Sequence, residues 1–217
     1  MKETDRAAMG GAPPGRGLDA PALAPAPDND MLAVVTRAFT SALKTCDPHI
    51  FLHSDRVARY AFQIAAELQL PPPGQREIYL AGLLHDLGKI GVAFRTLHKP
   101  DRPTPAEWEQ IRQHPVLGFQ ILKDFPEFAE ISIMVLYHHE WFNGQGYPDG
   151  LRGKQIPLGA RILCVADSFD AMTSERPYRP AMSQMEARHE LVAMAGKQFD
   201  PEVVDALLRR LTTSMSP

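Results

Sequence analysis

Two short steps in this sequence carry residue types that bind metal ions: His85-Asp86 and the adjacent pair His138-His139. An imidazole offers one nitrogen lone pair, and a carboxylate can share its two oxygens between two ions. His85-Asp86 follows the apolar run Tyr79-Leu80-Ala81-Gly82-Leu83-Leu84, so the step is expected to be buried. A buried carboxylate without a partner is costly. Taken alone, the dipeptide more simply fits a histidine at a helix C-terminus followed by a capping aspartate. His138-His139 alone fits a core histidine beside a surface one. Neighbouring helical residues diverge by about 100°. Two adjacent imidazoles on a helix are therefore expected to serve two different ions rather than one.

Other residues complete a set. His53 shares an apolar helix face with Val57, Ala61 and Ile64, where a lone histidine also reads as a core residue. His114, before Pro115, is placed late in the helix that contains Trp108. Asp167 follows Arg161-Ile162-Leu163-Cys164-Val165-Ala166 and emerges from an apolar helix. An isolated aspartate there would be destabilising unless paired. One centre of cations would satisfy these groups together. After the His pair comes Glu140-Trp141-Phe142-Asn143-Gly144-Gln145-Gly146-Tyr147-Pro148, whose two glycines and proline impose a sharp path. An exposed Tyr147 there could stack on a planar base, or pack on the core. Lys89 lies one turn after His85, and Arg176 and Arg179 flank Pro177-Tyr178. Cations beside metal ions make sense with an anion between them, which points to a phosphate-bearing ligand.

The elements that position these residues read as helices. Val57, Ala61, Ile64, Ala65 and Leu68 fall on one face of a helix that Pro71-Pro72-Pro73-Gly74 stops. Residues 77–87 read as the next helix, ending near Gly88. Thr104-Pro105-Ala106-Glu107 and Ser183-Gln184-Met185-Glu186 are capping boxes. Helices are also expected over 127–140, from Pro157 to about Met172, and from Asp200-Pro201 onward. Loops rich in glycine and proline fall at 91–103 and 143–157. The fold class is all-α: a helical bundle over 29–217, preceded by a Pro/Gly/Ala-rich tail over 1–28 that lacks periodic apolar residues and is expected to be disordered.

Composition sets further bounds. The 217 residues carry a formal charge of -3, so no basic field argues for long nucleic acid. Cys46 and Cys164 are too few for a disulfide framework and read as buried thiols in a reducing compartment. No apolar run is long enough to span a membrane, and no signal peptide is apparent. A cytoplasmic location is expected.

The ordered motifs resemble the HD-GYP family, a bacterial subgroup of the HD phosphohydrolase superfamily. They are His85-Asp86-Leu87-Gly88-Lys89-Ile90-Gly91, His114-Pro115-Val116-Leu117-Gly118, the His138 to Pro148 run, Ile156-Pro157-Leu158-Gly159-Ala160-Arg161-Ile162, and Asp167 through Arg179. The resemblance implies an HD-type bundle that hydrolyses cyclic di-GMP to linear pGpG, and on to GMP in some members, in second-messenger signalling. It implies metal ligands at His53, His85, Asp86, His114, His138, His139 and Asp167, with Asp86 bridging two ions, iron or manganese. Asp86 and Lys89 would be catalytic. Lys89, Gly146, Tyr147, Pro148, Arg176 and Arg179 match substrate-binding positions. Some members carry a glutamate four residues before the first histidine ligand and bind a third metal; here that position is His49. The alternative is a catalytically silent module of the same family that binds signalling proteins or senses the nucleotide.

Overall fold

A computed structural model describes residues 31–99, 101–175 and 180–213. Ten helices follow one another in the described residues: α1 (Met31–Cys46), α2 (Pro48–Glu67), α3 (Pro72–Leu84), α4 (Phe94–Leu97), α5 (Pro105–Ile111), α6 (His114–Leu122), α7 (Ala129–Tyr137), α8 (Leu158–Thr173), α9 (Gln184–Ala193) and α10 (Pro201–Thr213). Short 3-10 segments lie at Leu87–Gly91, Pro126–Phe128 and Gly153–Gln155. Only two isolated bridges, Asn143 with Arg152 and Ala195 with Phe199, represent β-structure among the described residues. The protein is all-α, as its sequence predicts. The tail expected over 1–28 lies outside the described residues.

The helix α2 is the axis of the bundle, packing against α1, α3, α8 and α10. Asp47 caps it, its Oδ1 accepting from the His49 and Ile50 amides, and Pro48 takes the first turn, where no donor is needed. Val57, Ala61, Ile64 and Ala65 are fully buried on the expected face. They meet Leu80 and Leu84 of α3 and Leu163 and Phe169 of α8 in one core. Each such large side chain contributes about 1.5–3 kcal/mol on burial.

Both capping boxes are present, Thr104 with Glu107 on α5 and Ser183 with Glu186 on α9. Several helix limits differ from those read off the sequence. The prolines after α2 do not merely stop a helix. Pro72 and Pro73 form the first turn of α3, five residues before the expected start, because proline fits where the amide has no helical partner. At its other end α3 stops at Leu84, and the chain tightens into the 3-10 turn, with Lys89 N–H donating to Asp86 C=O. His85-Asp86 therefore lies at the helix exit. The helix α7 likewise ends at Tyr137 rather than 140. The Trp108 helix ends at Ile111, and His114 begins a separate helix, since Pro115 can join only a first turn. The 91–103 loop contains the single turn α4. Cys164 is buried, but Cys46, at the solvent-facing end of α1, is exposed, contrary to expectation. No described helix is long and apolar enough to cross a membrane.

Candidate metal centre

Three imidazoles are set by one local device. His85 follows α3, His114 opens α6 and His138 follows α7. In each, Nδ1 donates to the carbonyl three residues earlier, at 2.7 Å: Gly82, Ile111 and Val135 respectively. A carbonyl only accepts, so the proton sits on Nδ1 and Nε2 keeps its lone pair. All three side chains are buried. His53, on α2, points Nδ1 to Asp170 Oδ2 at 2.7 Å and Nε2 to Asp167 Oδ1 at 3.1 Å. Asp167 and Asp170 both come from α8, three residues apart on one face.

These groups converge in two sets. The ligand atoms of His114, His138 and His139 lie within 4.8 Å of one another, and so do those of His53, His85 and Asp86. Asp86, 1% exposed, lies between the sets. Its Oδ1 is 3.4 Å from His114 Nε2, while Oδ2 is 3.5 Å from His85 Nε2 and 3.8 Å from His53 Nε2. Lys89 Nζ donates to Asp86 Oδ2 at 2.6 Å.

The donor set fits metal ions. His114 Nε2 faces His138 Nε2 at 3.3 Å. Burial pushes the His114 pKa down to about 3 and that of His138 well below the usual histidine value, so both rings are neutral. With both protons committed at Nδ1, two lone pairs face each other, an arrangement that a cation between them relieves. His85 Nε2 is buried with no hydrogen-bond partner. Burial also lowers His139 to about 4. Burial opposes the charged form of His53, but hydrogen bonds to Asp167 and Asp170 outweigh it and raise its pKa to about 9. Burial would raise Asp86, yet the Lys89 ammonium beside it holds its carboxyl well below the usual range.

The adjacent histidines differ from expectation in one respect. Their rings lie 4.0 Å apart, tilted by 41°, and belong to the same three-His set. The 100° divergence of helical neighbours does not apply, because α7 ends at Tyr137 and His139 stands in a turn.

Tyr147 stacks on His139, with centroids 4.9 Å apart, and the Arg112 guanidinium lies 5.0 Å from the Tyr147 ring centre. Gly146 turns where a Cβ would fall 2.2 Å from the Trp141 nitrogen, so the loop path needs glycine. The Tyr147-Pro148 bond is cis, and Pro148 is exposed. His49 is exposed on the first turn of α2, outside both ligand sets. Arg176 and Arg179 lie outside the described residues.

Sequence reading missed several groups. Asp170 is 1% exposed and takes His53 on one side and Arg56 on the other, where Arg56 Nη2 donates to Oδ2 at 3.0 Å. Its signal was available: it follows Asp167 by three on an apolar helix. Glu140, also 1% exposed, accepts the Asp149 and Gly150 amides at 2.7 and 2.9 Å and pins the loop that carries Tyr147. Arg112 had no signal beyond its closeness to His114.

Fold and site together define a helical bundle whose buried centre gathers histidine and aspartate groups that could hold metal ions. The chain belongs to the HD domain family, which it matches over residues 37–203. The resemblance to its HD-GYP branch holds. A cyclic di-GMP phosphodiesterase of Thermotoga maritima is 42% identical over 159 residues, covering 72% of this chain and 43% of that protein. A 3'3'-cGAMP-specific phosphodiesterase of Vibrio cholerae is 37% identical over 184 residues, covering 85% of this chain and 40% of that protein. The chain thus spans about two fifths of the length of these relatives. The fold is also that of an HDG"Y"P protein from Bdellovibrio bacteriovorus, at TM-score 0.65 and 21% identity, over 83% of this chain and 63% of the other.

Proposed function

We propose that the chain is a metal-dependent phosphodiesterase, its domain spanning 29–217, that hydrolyses cyclic di-GMP to linear pGpG in the cytoplasm, with GMP as the product of any second cut. The observation that carries this reading is the pair of ligand sets meeting at Asp86. His53, His85, Asp86 and Asp167 would hold one ion, and His114, His138, His139 and Asp86 the other. Mixed imidazole and carboxylate donors suit iron or manganese. When bound, such ions supply an activated water and a clamp on the phosphoryl oxygens.

The chain's own residues do the rest. Asp170 fixes the His53 ring through Nδ1, as carboxylates commonly do for metal-bound histidines. Asp86, with its depressed pKa, is a poor proton acceptor and serves to join the two sets. Lys89 brings positive charge to Asp86, next to where a phosphoryl oxygen gathers charge in the transition state. Tyr147, stacked on His139, walls the three-His set with an aromatic ring. His49, one turn before His53 on α2, would serve only as a ligand to a third ion, since it is exposed and outside both ligand sets.

The test is chromatographic product analysis with purified protein loaded with Mn²⁺ or Fe²⁺. Cyclic di-GMP, 3'3'-cGAMP and a deoxynucleoside triphosphate are offered separately. Appearance of pGpG supports the reading. Turnover of the triphosphate alone, or of nothing, contradicts it.

A further inference from the structure

Arg112 stands at the rim of the three-His set, at the end of α5 and two residues before His114. Its guanidinium lies on Tyr147, and Tyr147 stacks on His139. A continuous series of planar groups thus leads from the surface to a metal ligand. The Arg112 side chain is 51% exposed, and its nearest carboxylate is Glu109, 3.8 Å away and 72% exposed. No guanidinium N–H of Arg112 donates a hydrogen bond among the described residues. An exposed pair of that kind contributes about 0–1 kcal/mol, so little opposes its exchange for a better anion.

A guanidinium stacked through its face keeps its N–H donors free at the edge. Those donors match two phosphoryl oxygens at once. Lys89 and the ligand sets account for the phosphodiester being cut, and Arg112 sits beyond them, past Tyr147. A cyclic dinucleotide carries a second phosphodiester. We infer that Arg112, oriented by Tyr147, binds the phosphodiester that is not being cut, and so selects substrates with two phosphates over simple diesters. This inference rests on the phosphodiesterase reading above.

The test uses the Mn²⁺-loaded full chain and the variants Arg112→Ala and Arg112→Lys. Two substrates are compared: cyclic di-GMP, and bis(p-nitrophenyl) phosphate, which has a single phosphodiester. A charge-assisted bidentate contact corresponds to roughly a ten- to hundred-fold change in binding. Arg112→Ala is expected to raise KM for cyclic di-GMP by about that factor, with kcat within about two-fold. Arg112→Lys recovers only part of the loss, because an ammonium is not a planar fork. Turnover of bis(p-nitrophenyl) phosphate and the bound metal stay unchanged. An unchanged KM for cyclic di-GMP, or equal losses on both substrates, overturns the assignment. If the wild type cleaves the simple diester but not cyclic di-GMP, the substrate reading fails by itself. Inhibition by pGpG then decides about Arg112: a weaker Ki in Arg112→Ala supports its role, and an equal Ki overturns it.

Discussion

A metal-binding histidine is oriented, and its tautomer fixed, when its other nitrogen is engaged. His85, His114 and His138 meet that condition through a carbonyl three residues back, and His53 meets it through Asp170. Asp170→Asn keeps a hydrogen-bonding group but removes the charge that Arg56 and His53 share. Affinity for the ion at the His53 set is expected to fall about 10–100-fold, read by titration against a metal buffer, with the three-His set unaffected. Lys89→Ala is expected to lower kcat by roughly 10²–10³ while metal content stays constant, since the ammonium acts on developing charge. Metal content that fell with kcat would assign Lys89 to site assembly instead. The seven ligand candidates were legible because histidines and aspartates on apolar faces need partners. Asp170 is the same kind of residue in the same helix, but sequence does not show that it reaches the far nitrogen of His53 while Asp167 faces the near one.

The decisive elements are helix ends. Periodicity located α2, α3, α7 and α8, and side-chain chemistry located the starts of α5 and α9, because a capping box satisfies specific amides. The exits were not legible. Apolar residues run through Leu84 and Tyr137 into the histidines, so the pattern carries no stop, while the chain turns there to aim Asp86 and His139. Gly88 shows how tight the exit is. A Cβ at this position would fall 1.9 Å from the His114 carbonyl oxygen and 2.6 Å from the Gly118 nitrogen. Gly88→Ala is expected to push α6 away, costing about 1–3 kcal/mol and weakening the three-His set. Chemical denaturation checks the first effect and metal titration the second. Unchanged stability would mean that the 3-10 turn yields without cost.

For the whole molecule, the centre links stability to pH and metal. In the metal-free protein, His114, His138 and His139 are held neutral by burial, whereas they charge near the ordinary histidine value once unfolded. The unfolded chain then binds more protons below about 6.5, so stability rises with pH there. His53 works the other way: its raised pKa stabilises below about 6.5 and that contribution is lost as pH passes through about 9. Three depressed groups outweigh one raised group. Thermal unfolding of chelated protein is expected to move to lower temperature between about pH 6.5 and pH 4, the latter set by His139. A flat profile would show the rings charged or exposed. Added Mn²⁺ should raise the midpoint, since an ion that binds only the folded chain at a hundred times its Kd adds about 2.7 kcal/mol.

The central claim is that Asp86 joins two metal positions. Its most direct test is elemental analysis of protein purified without oxygen, comparing wild type with Asp86→Ala, with circular dichroism to follow the helices. Two ions per wild-type chain are expected, with loss of metal and of cyclic di-GMP turnover in Asp86→Ala while helical content is retained. A fully loaded and active Asp86→Ala chain would contradict it.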